Sequence, residues 1–77
     1  MGRREKVNQL LEYLHTYTEH VRVDTVLNQY SFTSGISVRT LMEYVSVLSA
    51  AGLIVVSYVN PDPSVRVDPN TRWLVPT

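Results

Sequence analysis

The sequence contains no cysteine, so neither a disulfide nor a thiolate-held metal can staple its fold. It has one lysine against six arginines, and only 18% of its 77 residues are charged. Seven basic and seven acidic side chains leave a formal net charge of zero. The basic surplus that usually marks a nucleic-acid-binding domain is therefore missing. No apolar run approaches the ~20 residues that span a bilayer, and the first residues lack the apolar stretch of a secretory signal. Membrane insertion is not expected, and the chain reads as cytoplasmic. His15 and His20 stand five apart with no third ligand beside them, so no metal site is expected. There is also no nucleophile set next to a base, no glycine-rich phosphate loop and no close carboxylate pair. The chain does not read as an enzyme and implies no cofactor.

What remains is 44% hydrophobic, a globular composition near the lower size limit for folding without staples. One domain over residues 1–77 is expected. The stretch from Ser31 to Ile54 organises it. Ser37 is a good helix N-cap, since its hydroxyl can accept from a free backbone N–H just inside the helix. Leu41, Tyr44, Val45 and Leu48 follow at spacings of three and four, which puts them on one face of a helix over about 37–51. Gly52 sits where the chain must leave that helix, in the left-handed conformation that glycine adopts cheaply. The opposite face carries Arg39, Thr40, Glu43 and Ser46, and Met42 lies off the buried stripe.

Upstream, Val7, Leu10, Leu11 and Leu14 predict a first helix from about Arg4 to Thr18, with Arg3, Arg4 and Lys6 crowding its first turn. Those cations read either as a solvated terminus or as groups reaching for phosphate. Tyr13, at the edge of the stripe, suits the core rim or a dimer contact. His20 to Val23 alternates as a short strand would, and Asp24 is expected to cap a second helix ending near Phe32 or Thr33. Ser31 is small where the second and third helices must approach. Leu53 to Val59 reads as a strand. It stops at Asn60-Pro61-Asp62-Pro63, where proline removes backbone donors. Arg72 to Val75 forms a last strand, and Val65-Arg66-Val67 either extends the ladder or makes a rung of its own. Trp73 is expected in the core, closing the sheet over the first helix.

The run from Thr33 to Val56, with Gly35, Ser37, Thr40, Leu48 and Ala51-Gly52-Leu53-Ile54 in characteristic places, resembles the core of winged helix-turn-helix domains. That resemblance implies an α+β fold of three helices and a small antiparallel sheet, in the order helix-strand-helix-helix-strand-strand. The helix-turn-helix would cover about 24–52 and the wing hairpin about 53–76. It also implies double-stranded DNA as partner, read through the recognition helix, as in a transcriptional regulator. The DNA-contacting set would then be Ser37, Arg39, Thr40, Met42, Glu43 and Ser46, with Arg66 and Arg72 on the wing. A homodimer would have to use helix one or the sheet. The alternative is a protein-docking module within a transcription, replication or membrane-remodelling assembly, which predicts an apolar patch at Met42, Val47 or Tyr58. In duller terms, Arg39 and Glu43 form an ordinary i, i+4 surface pair, and Arg66 and Arg72 are plain surface.

Overall fold

A computed structural model describes residues 2–76; Met1 and Thr77, at the ends of the expected domain, lie outside the described residues. In chain order the elements are α1 (Arg3–Leu14), β1 (Val21–Arg22), α2 (Val23–Ser34), α3 (Val38–Ala50), β2 (Val55–Ser57) and β3 (Trp73–Val75). The chain is α+β, three helices against a three-stranded antiparallel sheet of spatial order β1-β3-β2. This element order is the expected one; several boundaries are not.

α3 starts and stops as its residues dictate. Ser37 Oγ accepts from the Thr40 N–H at 3.3 Å, which satisfies one of the free donors of the first turn. Leu41, Tyr44, Val45 and Leu48 are buried. At the other end Gly52 has φ 74°, which lets its own N–H reach the Ser49 carbonyl and the Leu53 N–H reach the Leu48 carbonyl, both at 3.0 Å. Leu53 is spent on this closure and Ile54 drops into the core. The strand expected from Leu53 therefore begins only at Val55. It ends early too, because Ser57 Oγ accepts the Val59 N–H at 3.0 Å and turns the chain out of the ladder.

α1 ends four residues earlier than expected. The Thr16 hydroxyl donates to the Tyr13 carbonyl at 2.7 Å and its N–H binds the same oxygen at 3.2 Å, which closes the helix at Leu14. Tyr17 stays in the structure by other means. Its hydroxyl lies 3.1 Å from that of Tyr13, whose ring packs 4.8 Å from that of Tyr30 on α2. Tyr13 thus belongs to the rim of the core. Burial first, and then the Tyr13 hydroxyl, push the Tyr17 phenol up to about 12.

Asp24 does not cap α2. The helix starts two residues earlier, with Arg22 at the cap position and no side-chain cap. The reason is the sheet, since the Val23 N–H finds the Arg72 carbonyl at 3.0 Å and needs no carboxylate. Asp24, in the first turn, faces Arg72 instead. α2 then runs to Ser34, past the expected stop, and Gly35 turns the chain at φ 75°. The Ser31 hydroxyl donates to the Ile36 carbonyl at 2.6 Å, tying the turn to α2.

Leu10 and Leu14 of α1, Val23, Val26 and Leu27 of α2, the four buried residues of α3, Ile54 and Leu74 form one apolar cluster. β3 supplies its middle strand. Val56 and Val21 flank Leu74 in register, and all three pack on the cluster. Because successive strand residues face opposite ways, Trp73 points to the other side of the sheet. It is buried, as expected, but it does not close the sheet over α1. It lies opposite Arg22 and Ser57, with the Arg22 guanidinium 5.6 Å from the centre of its ring and its indole N–H unpaired. Val65-Arg66-Val67 adds nothing to the ladder. The segment 58–72 is held locally: Asn60 Nδ2 donates to the Val65 carbonyl at 2.7 Å, and the Asp68 carboxylate accepts the Asn70 N–H at 2.8 Å.

Candidate nucleic-acid interface

The exposed side of α3 carries Arg39, Glu43 and Ser46. Arg39, in the first turn, is exposed. Among the described residues the ion pair is Arg72 with Asp24, at 3.6 Å, and Arg39 and Glu43 do not close on each other. Ser37 and Thr40 are already engaged. The Ser37 hydroxyl donates to Thr40 Oγ1 at 2.9 Å while accepting the Thr40 N–H. Of the two, Thr40 keeps its hydroxyl proton for an outside acceptor. Met42 differs from its expected place on the surface. It is half-buried and packs against the core cluster, its flexible thioether filling the margin of the apolar stripe.

Two hollows flank α3. On one side Arg3, Arg4, Val7 and Asn8 of α1 meet Val47 around about 530 Å³ of open space. The Arg3 guanidinium sits 5.7 Å from the centre of the Tyr44 ring, a cation–π placement that holds the start of α1 against α3. On the other side a cleft of about 370 Å³ separates α3 from the sheet. Ser46, Ser49, Tyr58 and Arg72 rim it, and Val45, Ala50 and Val56 floor it. Tyr58 and Arg72 stand one residue beyond the last pair of the β2–β3 ladder, Ser57 with Trp73. Arg72 is anchored through its carbonyl to α2, and its side chain is 26% exposed.

Of the expected contact residues, the structure therefore brings Ser46 and Arg72 to one cleft and leaves Arg39, Thr40 and Glu43 on the adjoining face. Arg66 is elsewhere. It is exposed within the 58–72 segment, whose acids Asp62 and Asp68 are held by their own loop. The Ser64 hydroxyl and N–H together keep the Asp62 carboxyl below its usual range, so it stays an anion. Ser49 and Tyr58 were not among the expected DNA contacts. Ser49 follows Ser46 by three and shares its side of the helix, a signal present in the sequence. The meeting of Tyr58 and Arg72 at one cleft has no such signal.

Arg3, Arg4 and Arg72 line the two hollows beside α3, and Arg39 lies on it; Glu5 follows Arg4 in the first turn of α1, Glu43 is on α3, and Asp24 pairs with Arg72. No family model, curated protein or solved structure matches the chain. Among the described residues no group of three or more histidine or acidic side chains could hold a metal ion, and no helix is long and apolar enough to cross a membrane.

Proposed function

We propose that this chain is a winged helix-turn-helix domain that binds double-stranded DNA through α3, in the manner of a transcriptional regulator. The observation that carries the reading is the gathering of four arginines around one helix in a chain of zero net charge. α3, ~20 Å long at 1.5 Å per residue, fits a major groove ~12 Å wide. Its first turn would meet base edges, so Arg39 would fork onto a guanine and Glu43 would accept from a cytosine amine. Thr40 would donate to a phosphate. Arg3 and Arg4 on one flank and Arg72 on the other would take the two backbones. Arg66, between two acids, has no part in this arrangement.

The test is an amide-resonance titration with a short mixed-sequence duplex at about 50 and about 200 mM salt. Non-specific binding alone gives dissociation constants of ~10⁻⁴–10⁻⁶ M. Three phosphate contacts would weaken it roughly fortyfold across that salt range. Shifts are expected from Ser37 to Ser46 and at Arg72, and Arg39→Ala should reduce binding to every duplex tried. Unchanged binding by Arg39→Ala would remove α3 as the reader. The protein-docking alternative has its own support in the apolar exposure of Phe32 (94%), Val59 (73%) and Tyr58 (63%). A duplex that moves no resonance, together with a partner that shifts Phe32, would favour it.

A further inference from the structure

Apart from Arg72, the groups that line the cleft between α3 and the sheet are ones the duplex reading leaves unused. A floor of Val45 and Val56 lies under a rim with one aromatic ring, one guanidinium and the hydroxyls of Ser46 and Ser49. The ring and the guanidinium belong to the residues just after β2 and just before β3, and both line the cleft. Tyr58 is 63% exposed, with ring surface to offer. Arg72 is held at 3.6 Å from a single Asp24 oxygen, a long contact that leaves most of its five donors unspent. The Ser46 hydroxyl donates to the Met42 carbonyl at 3.1 Å, so toward the cleft it offers acceptor lone pairs, while Ser49 can play either role.

We infer that this cleft is a binding site for a single unpaired nucleotide, its base stacked on Tyr58 and its phosphate on the Arg72 guanidinium. An aromatic face accepts any base, and arginine matches a phosphate with two parallel N–H donors. The serine hydroxyls then meet the sugar or the edge of the base. A volume of about 370 Å³ is at the low end for ligand clefts, enough for one nucleotide and too little for a stacked pair. The nucleotide comes either from a single-stranded segment or strand end, or from the free mononucleotide pool. Neither source requires α3 to enter a groove.

Thymidine 5′-monophosphate and a hexathymidine oligonucleotide, each titrated into the labelled protein, test the site. Both are expected to shift the amides of Ser46, Ser49 and Tyr58 and the side-chain Nε–H of Arg72. Tighter binding of the oligonucleotide identifies a strand as the source, and equal binding identifies the free nucleotide. Tyr58→Ala should weaken binding about 5- to 150-fold, the range that one stacked base contributes, and Tyr58→Phe should retain it. Tyr58 is exposed, so both variants keep the core intact. Asp24→Asn should tighten binding by freeing Arg72, and Arg72→Lys should weaken it although the charge remains. The inference is overturned if neither probe moves these resonances, or if Tyr58→Ala and Arg72→Lys bind both probes like the unaltered protein. Arg39→Ala separates this site from the duplex reading, because it should weaken duplex binding and leave both nucleotide probes bound as before.

Discussion

Residues 37–54 and residues 58–72 both contribute side chains to one cleft, and they are held by different means. In the first, Leu41 is fully buried and Leu48 nearly so, and every turn of α3 contributes to the apolar cluster. In the second no residue is buried. Its shape comes from side chains bonding to nearby backbone: Asn60 Oδ1 to the Asp62 N–H, Asp62 to Ser64, and Asp68 to the Asn70 N–H, each across two residues. Proline at positions 61, 63 and 69 lowers the entropy the segment must lose. Hydrophobic burial stabilises the molecule as a whole, whereas these short polar bonds choose one conformation for a loop without adding much to global stability. A cleft between the two therefore has one firm wall and one that can be altered cheaply.

Substitutions on the two sides should diverge accordingly. The largest effect belongs to Leu41→Ala, which empties a fully buried site and should cost about 2–5 kcal/mol by urea unfolding. A loss below about 1 kcal/mol would mean that the core relaxes around the cavity and that the firm wall is softer than its burial implies. Next comes Gly52→Ala. A Cβ there would touch nothing within 4 Å, so the cost is that of holding alanine at φ 74°, about 1–2 kcal/mol. Ser37→Ala removes the bond to the Thr40 N–H and should cost about 1 kcal/mol, while Ser37→Gly should cost only a few tenths.

The smallest effects are those of pH, and they separate the two regions most cleanly. Ser64 holds the folded pKa of Asp62 below its unfolded value of 3.8. Its contribution is present above that value and is lost as pH falls through the lower, folded one. In acid the Ser64 amide should lose protection relative to its intrinsic exchange rate while the Leu41 amide keeps its own. Tyr17 runs the other way. Its folded pKa is raised from 10.0 to about 12, so its contribution is complete below pH 10 and fades as pH rises toward 12. Alkali should therefore loosen the contact between α1 and α2 first, read from the Tyr13 and Tyr30 ring resonances.

Local features were legible in the sequence, and features set by distant parts of the chain were not. The Ser37 cap, the stripe of Leu41, Tyr44, Val45 and Leu48, and the left-handed Gly52 each follow from a few neighbouring residues. Asp24 was misread as a cap because the group that satisfies the first N–H of α2 is the Arg72 carbonyl, far along the chain. Trp73 was placed on the wrong side of its strand because the pairing of β3 with both neighbours decides its face, and no short-range pattern reports that pairing. For the site, Arg39 and the serines of α3 could be read from helical spacing. The cleft needed the fold that brings Tyr58 and Arg72 to the side of α3.

β3 is the last strand in the chain and the central one in the sheet. Val21 and Val55 have no strand to pair with until Trp73 to Val75 have been made, because β1 and β2 never touch each other. During synthesis the helices can therefore gather as their residues leave the ribosome, but the sheet can only close in one late step. In that interval Val55 and Val56 are unpaired backbone in a stretch without charge from Tyr44 to Pro61, the composition most prone to pairing with a neighbouring chain. How soon β3 follows β2 thus sets how long each newly made molecule can stick to another.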